Sequence, residues 1–255
     1  MQVLQSADSG SRQVPTVSTP VGKAERLRHP AFFSGMSVLL ITLVFAAFAP
    51  TYYLRPADAV PLPRYVQVHG AVMTAWFVLL LVQSLLIVTK RRSIHRRTGI
   101  AAVIVAIAIT VLNPFVAVRG VPKGLAAGLP IDFVAIVLIA DFSAMAVFAV
   151  LAGLAIVWRR DPEAHSRMLL LASIALMTAA TGRLSINTGI RLLGDSIQIL
   201  LPLLVVAHDR IVATRIHPAS IWGSAAVIGT LPFNIAVATS QAGHWLVRLF
   251  GPLAL

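Results

Sequence analysis

The sequence predicts an all-α fold: a polytopic transmembrane bundle of about seven helices, amino terminus inside and carboxyl terminus outside. Three observations carry this. About seven long apolar segments are separated by short loops loaded with arginine. Hydrophobic residues make up 58% of the 255-residue chain and charged residues 12%. Mean hydropathy is +0.86, more apolar side chain than one soluble domain could hide.

In chain order, residues 1–27 are polar, rich in Ser, Thr, Gln and Pro, and lack the apolar core of a secretory signal. They are expected to be a disordered cytoplasmic tail. Spans are expected near 32–53, 66–89, 99–118, 132–158, 168–188, 192–208 and 219–239, forming one bundle over 28–239. Residues 240–255 follow as a short amphipathic outer tail. Tyr52, Tyr53 and Tyr65 fall near one membrane boundary and Trp158 and Trp222 near the other, as an aromatic belt would place them.

The formal charge of +12 would suggest nucleic acid in a soluble protein, but its distribution reads as topology and excludes that partner. Alternate connections carry 14 of the 21 basic residues, among them Lys90, Arg91, Arg92, Arg96, Arg97, Arg159, Arg160, Arg167, Arg210 and Arg215. The opposite side has Arg55, Arg64, Arg119, Lys123, Arg183, Arg191 and Arg248. The richer side is expected to be cytoplasmic. Arginine outnumbers lysine 18 to 3, which suggests a GC-rich bacterial genome and hence a bacterial inner membrane. With no cysteine, disulfides, thiolate metal sites and cysteine nucleophiles are excluded.

A histidine, any residue, then arginine recurs at cytoplasmic helix ends: His95-Arg96-Arg97, His165-Ser166-Arg167 and His208-Asp209-Arg210. The first two each follow a double arginine and open the returning helix of a hairpin, a weak internal repeat. Helix starts of this kind present free amides beside cations and suit phosphate, carboxylate or anionic lipid headgroups. Orientation alone also requires basic residues there.

A second group lies toward the outer leaflet. His69 is one turn inside the second span, with Met73, Trp76, Leu80 and Gln83 continuing its face. Asn113 and Pro114 interrupt the third span, Asp141 lies near mid-depth of the fourth, and Arg183 and Asn187 share a face of the fifth. An ionised group in hydrocarbon costs roughly 2.5–3.5 kcal/mol, so Asp141 is expected to be paired, neutral or facing water, with Arg183 as its partner. A structural ion pair tying helices together is the alternative to a ligand pocket. Ala172, Ala175, Ala179 and Gly182 at spacings of three and four mark the fifth span as the packing centre. Asn113-Pro114, Pro202 and Pro232 are expected to break their helices and free carbonyls.

The stretch from His69 to Gly99, followed by DPEAHSRMLLLASIALMTAATGRL, resembles a group of uncharacterised bacterial multi-pass membrane proteins. The shared marks are His69, Gln83, His95-Arg96-Arg97-Thr98-Gly99, His165 to Met168, and Arg183. The resemblance spans roughly residues 66–185 and implies architecture without an assigned activity. More remotely, the interfacial histidines are similar to those of transmembrane b-type cytochromes.

Three functional classes follow. A redox protein would hold haem b between His95 and His165, with His208 as a substitute ligand and Arg97 and Arg167 pairing with propionates, and would exchange electrons with quinone. A transporter or ligand-binding protein would use His69, Gln83, Asn113, Asp141, Arg183 and Asn187, with Asp141 as proton carrier. A structural or assembly partner would use none of these as chemistry. Hydrolase readings fall lower, because neither His-Glu-x-x-His nor Gly-x-Ser-x-Gly occurs.

Overall fold

The computed structural model describes residues 21–212 and 215–254. α1 (Val21–Phe48) runs into one π-helical turn, Ala49–Tyr53. There follow α2 (Arg64–Val88), α3 (Arg92–Ala126), α4 (Ile131–Val157), α5 (Pro162–Ala175), α6 (Thr178–Thr188), α7 (Leu193–Val212), α8 (Pro218–Ala238) and α9 (Gln241–Phe250). A 3-10 turn, Gly251–Ala254, closes the chain, and no strand occurs among the described residues. Residues 21–27, expected in the polar tail, are already helical in α1, while residues 1–20 lie outside the described residues.

Local chemistry explains the starts and stops. Asp161 caps α5, its Oδ1 accepting from the amides of Glu163 (3.0 Å) and Ala164 (3.2 Å), with Pro162 in the first helical position. His217 Nδ1 accepts from Ala219 N at 3.1 Å and caps α8. Gly189 ends α6 at φ 73°, a left-handed conformation that glycine adopts without a Cβ penalty.

Five helices are long and apolar enough to cross a membrane: Pro30–Tyr53, Arg64–Val88, Arg92–Ala126, Ile131–Val157 and Pro218–Ala238. α5 and α6, bent by 42° at their junction, together make a sixth candidate. The outward surface suits lipid. On α3, Ile100, Ile104, Ile107 and Val111 form a stripe at helical spacing with 61–67% of each residue exposed, which water would penalise and acyl chains would not.

α4 packs against α3, α5 and α8, and α5 is buried almost all round, from Met168 through Met177. It is the packing centre that its small residues predicted, though only in part. Ala172 and Ala175 are buried, whereas Ala179 and Gly182 are exposed, because the bend turns the stripe away from the core. Trp76 on α2 meets Phe148 on α4 edge-on at 5.1 Å and donates to Ser173 Oγ on α5 at 3.1 Å, joining three helices.

The prolines do not break their helices as expected. α3 continues through Pro114 and Pro122, α7 through Pro202 and α8 through Pro232. A proline removes one backbone bond, and in a bundle neighbouring side chains can take up freed carbonyls. Ser224 Oγ, for example, donates to the Pro202 carbonyl at 3.2 Å. The real bend falls at Leu176–Met177, where no proline stands. There Gln198 of α7, almost fully buried, donates Nε2 to the Ile174 carbonyl at 3.1 Å, and Thr178 Oγ1 donates to the Ala175 carbonyl at 3.0 Å.

Candidate functional site

The helices alternate between two ends. The arginine-rich end holds the α2–α3, α4–α5 and α7–α8 connections, and the far end holds the α1–α2, α3–α4 and α6–α7 connections with α9. The candidate residues divide between them.

At the arginine-rich end the three His-x-Arg copies have different fates. The Gln83 side chain lies against the start of α3. With its amide nitrogen turned toward His95, it donates to His95 Nδ1 at 2.5 Å and to the His95 carbonyl at 3.2 Å, while its oxygen accepts from Gly99 N at 3.3 Å. Gln83 therefore belongs with His95 and not with His69, from which 14 residues of helix, about 21 Å of rise, separate it. His165 Nδ1 bonds to the Ala155 carbonyl at 2.8 Å, and His165 is within electrostatic reach of His95. Arg97 is exposed.

Arg167 and Asp209 form the buried charge cluster that the sequence reading missed. Arg167 is 1% exposed and Asp209 0%. Arg167 NH2 donates to Asp209 Oδ1 at 2.7 Å, and Nε donates to both carboxylate oxygens at 3.0 and 3.1 Å. The Glu163 carboxylate pairs with the same guanidinium, and the Glu163 carbonyl accepts from it at 2.9 Å. Asp209 Oδ2 also accepts from Ser220 Oγ at 2.6 Å and from His217 N at 3.1 Å. The arginine of one copy is thus neutralised by the aspartate of the next. The signal available in the sequence was Asp209, the only acidic residue inside any copy of the motif. His208 stacks on Phe32 with ring centroids 3.9 Å apart and planes 12° off parallel.

The five residues assigned to haem do not fit that group as one site. Arg167 is held by two carboxylates, and His208 is stacked face to face on Phe32.

The far end brings most of the second group together. Asn113 Nδ2 donates to the Asp141 carbonyl at 3.4 Å, joining α3 to α4. Asp141 is half-buried. Counting seven residues back from each partner of the Trp76–Phe148 contact gives His69 on α2 and Asp141 on α4. The two helices run in the same direction, so His69 and Asp141 stand level, about 10 Å beyond that contact and above its faces.

The expected Asp141–Arg183 ion pair is not formed. The two are within electrostatic reach, but Arg183 NH1 donates to Thr51 Oγ1 at 3.5 Å and its guanidinium lies 5.0 Å over the Phe48 ring. Asn187 Nδ2 donates to the Ala47 carbonyl at 3.0 Å. The cause is the bend between α5 and α6, which carries Arg183 and Asn187 to the end of α1, where the π-helical turn alters the backbone bonding that Asn187 completes. What remains at this end is Asp141, bonded through its carbonyl to Asn113 and without an ion-pair partner among the described residues, with Arg183 within electrostatic reach.

A concave surface of about 420 Å³ is lined by Tyr52, Arg55, Pro56, Leu62 and Gln67 among others, in the α1–α2 connection and the first turn of α2. Tyr52 OH donates to the Gln67 carbonyl at 2.9 Å, and a Cβ at Gly70 would fall 2.4 Å from the Tyr52 ring, so the rim of this surface is pressed against the first turns of α2. Among the described residues no group of three or more His, Asp or Glu is placed to hold a metal ion. No family model matches the chain, and neither curated proteins nor solved structures provide a match.

Proposed function

We propose that this chain is a seven-span inner-membrane protein of bacterial type that binds or transports a small polar solute, and that a polar chamber at its far end, around Asn113, Asp141 and Arg183, takes that solute. The observation that carries the reading is Asp141: a half-buried carboxylate inside an apolar helix, within electrostatic reach of Arg183 and not paired with it. A structural ion pair would close this contact, as Arg167 and Asp209 do. An open pair leaves both groups available to a ligand, with Asp141 as the group that takes up a proton.

The topology completes the proposal. α7, with 20 residues, fails as an apolar span because it holds Asp195, Asp209 and Arg210. Asp209, however, is fully buried against Arg167, so much of that charge never meets lipid. With α7 counted as the seventh span and α5 and α6 as one, the positive-inside rule supports reading the arginine-rich end as cytoplasmic and the far end as external. The test uses the cysteine-free background. Asp141→Cys and Asn113→Cys in proteoliposomes should react with a membrane-impermeant thiol reagent. Failure of both to react while a loop cysteine at Asp58 does would remove the chamber.

A further inference from the structure

We infer that the seam between the far ends of α2 and α3 holds a phospholipid of net negative charge, its phosphate between Arg119 and Lys123 and an acyl chain along the exposed row of α3. None of these residues belongs to the solute reading. Between Arg97 and Arg119, 22 residues apart, α3 carries no charged side chain. That interval rises about 33 Å, close to the roughly 30 Å of a bilayer's hydrocarbon core. Arg119 therefore stands where acyl chain gives way to headgroup, in the leaflet at the far end.

Aromatic rings hold both cations in place. Lys123 Nζ lies 5.2 Å over the Tyr65 ring of α2, and the Arg119 guanidinium lies 5.4 Å over the Phe115 ring. The two rings meet edge-on, with centroids 5.8 Å apart and planes at 86°, so one cluster joins the first turn of α2 to the last turns of α3. Residues four apart on a helix have Cβ atoms about 5–6 Å apart, close enough for one phosphate to accept from both. Because the rings already restrict two long side chains, binding there forfeits less rotamer freedom than at free surface cations.

Charge and shape select the ligand. Arg119 and Lys123 are exposed, and among the described residues neither meets a carboxylate in an ion pair. Asp132, at the start of α4, pairs instead with His244 at 2.5 Å. Two cations without a counter-charge favour a headgroup of net negative charge over a zwitterionic one. A free phosphate would also satisfy the cations, but it would leave the apolar row beside them unused. Phe115 is exposed one turn from Arg119, and the stripe from Val111 back to Ile100 continues it. From Phe115 to Ile104 the helix covers about 16 Å, the depth of one leaflet's hydrocarbon. Steps of four residues drift about 40° round a helix. The row therefore veers as it nears the headgroup and brings Lys123 to the seam with α2.

The test places a lipid-facing reporter in the cysteine-free full chain. Val111→Cys carrying a fluorophore, reconstituted in phosphatidylcholine vesicles, should be quenched several-fold more by brominated phosphatidylglycerol than by the same minor fraction of brominated phosphatidylcholine. A reporter at Ile235→Cys, exposed on α8, should show no such preference. Joint replacement of Arg119→Gln and Lys123→Gln should abolish the preference at Val111, and Arg119→Lys should keep most of it. Inorganic phosphate at matched ionic strength should leave it unchanged. Equal quenching by the two lipids at Val111, the same preference at Ile235, or a preference that survives the joint replacement overturns the site. Displacement of the phosphatidylglycerol by inorganic phosphate overturns the lipid as its ligand.

Discussion

Arg167 on α5 and Asp209 on α7 meet in a fully enclosed pair, NH2 to Oδ1 at 2.7 Å and Nε to both carboxylate oxygens at 3.0 and 3.1 Å. The pair joins the helix at the packing centre to the one too charged to pass as an apolar span. Replacing Arg167 alone by Met, or Asp209 alone by Leu, should destabilise the protein by about 3–5 kcal/mol, because each strands a buried charge. The double replacement should recover much of that loss. Denaturant unfolding in detergent measures the cycle, and strictly additive losses would show that the pair contributes no coupling.

Gln198 is expected to hold the bend. Gln198→Leu removes the donor to the Ile174 carbonyl and should cost about 1–3 kcal/mol, with a larger loss of hydrogen-exchange protection at 174–181 than elsewhere. Uniform loss along the chain would assign Gln198 no special part in the bend.

Gly194 is a point of close backbone approach. A Cβ there would lie 2.5 Å from the Thr181 carbonyl oxygen, so Gly194→Ala must part α6 from α7. The expected cost is about 1–3 kcal/mol, read as a lowered melting temperature. Gly153→Ala faces open space and should change little. Equal melting temperatures for the two variants would contradict the packing.

The topology has a direct check. In intact cells Ser93→Cys, in the α2–α3 hairpin at the arginine-rich end, should resist a membrane-impermeant thiol reagent until the membrane is permeabilised. Asp58→Cys should react at once. The reverse pattern would invert the protein in its membrane.

Much of the architecture was legible because apolar length and arginine placement act locally. The helix between 131 and 157 and the capped start at Asp161-Pro162 need only neighbours in sequence. Pairing was not legible, because it depends on how helices meet. Asp141 and Arg183 sit at compatible depths, yet a bend without proline or glycine directs Arg183 to Thr51. Gln83 shares a helical face with His69, but its turn belongs to the opposite end of α2. Arg167 looked like a free cation at a helix start, and only the arrival of α7 reveals its partner.

The bend at Leu176–Met177 also divides the α5–α6 pair, the sixth candidate span, into two mechanical parts. Below it, α5 is clamped on every side and pinned by Asp209. Above it, α6 bears Arg183 and Asn187 against the end of α1 through long or single hydrogen bonds. A displacement of α6 would be absorbed in the joint, where side chains already hold the loose carbonyls, before reaching the clamped half. The far half can therefore shift while the clamped half stays put, and substitutions in the two halves should combine as though they belonged to separate helices.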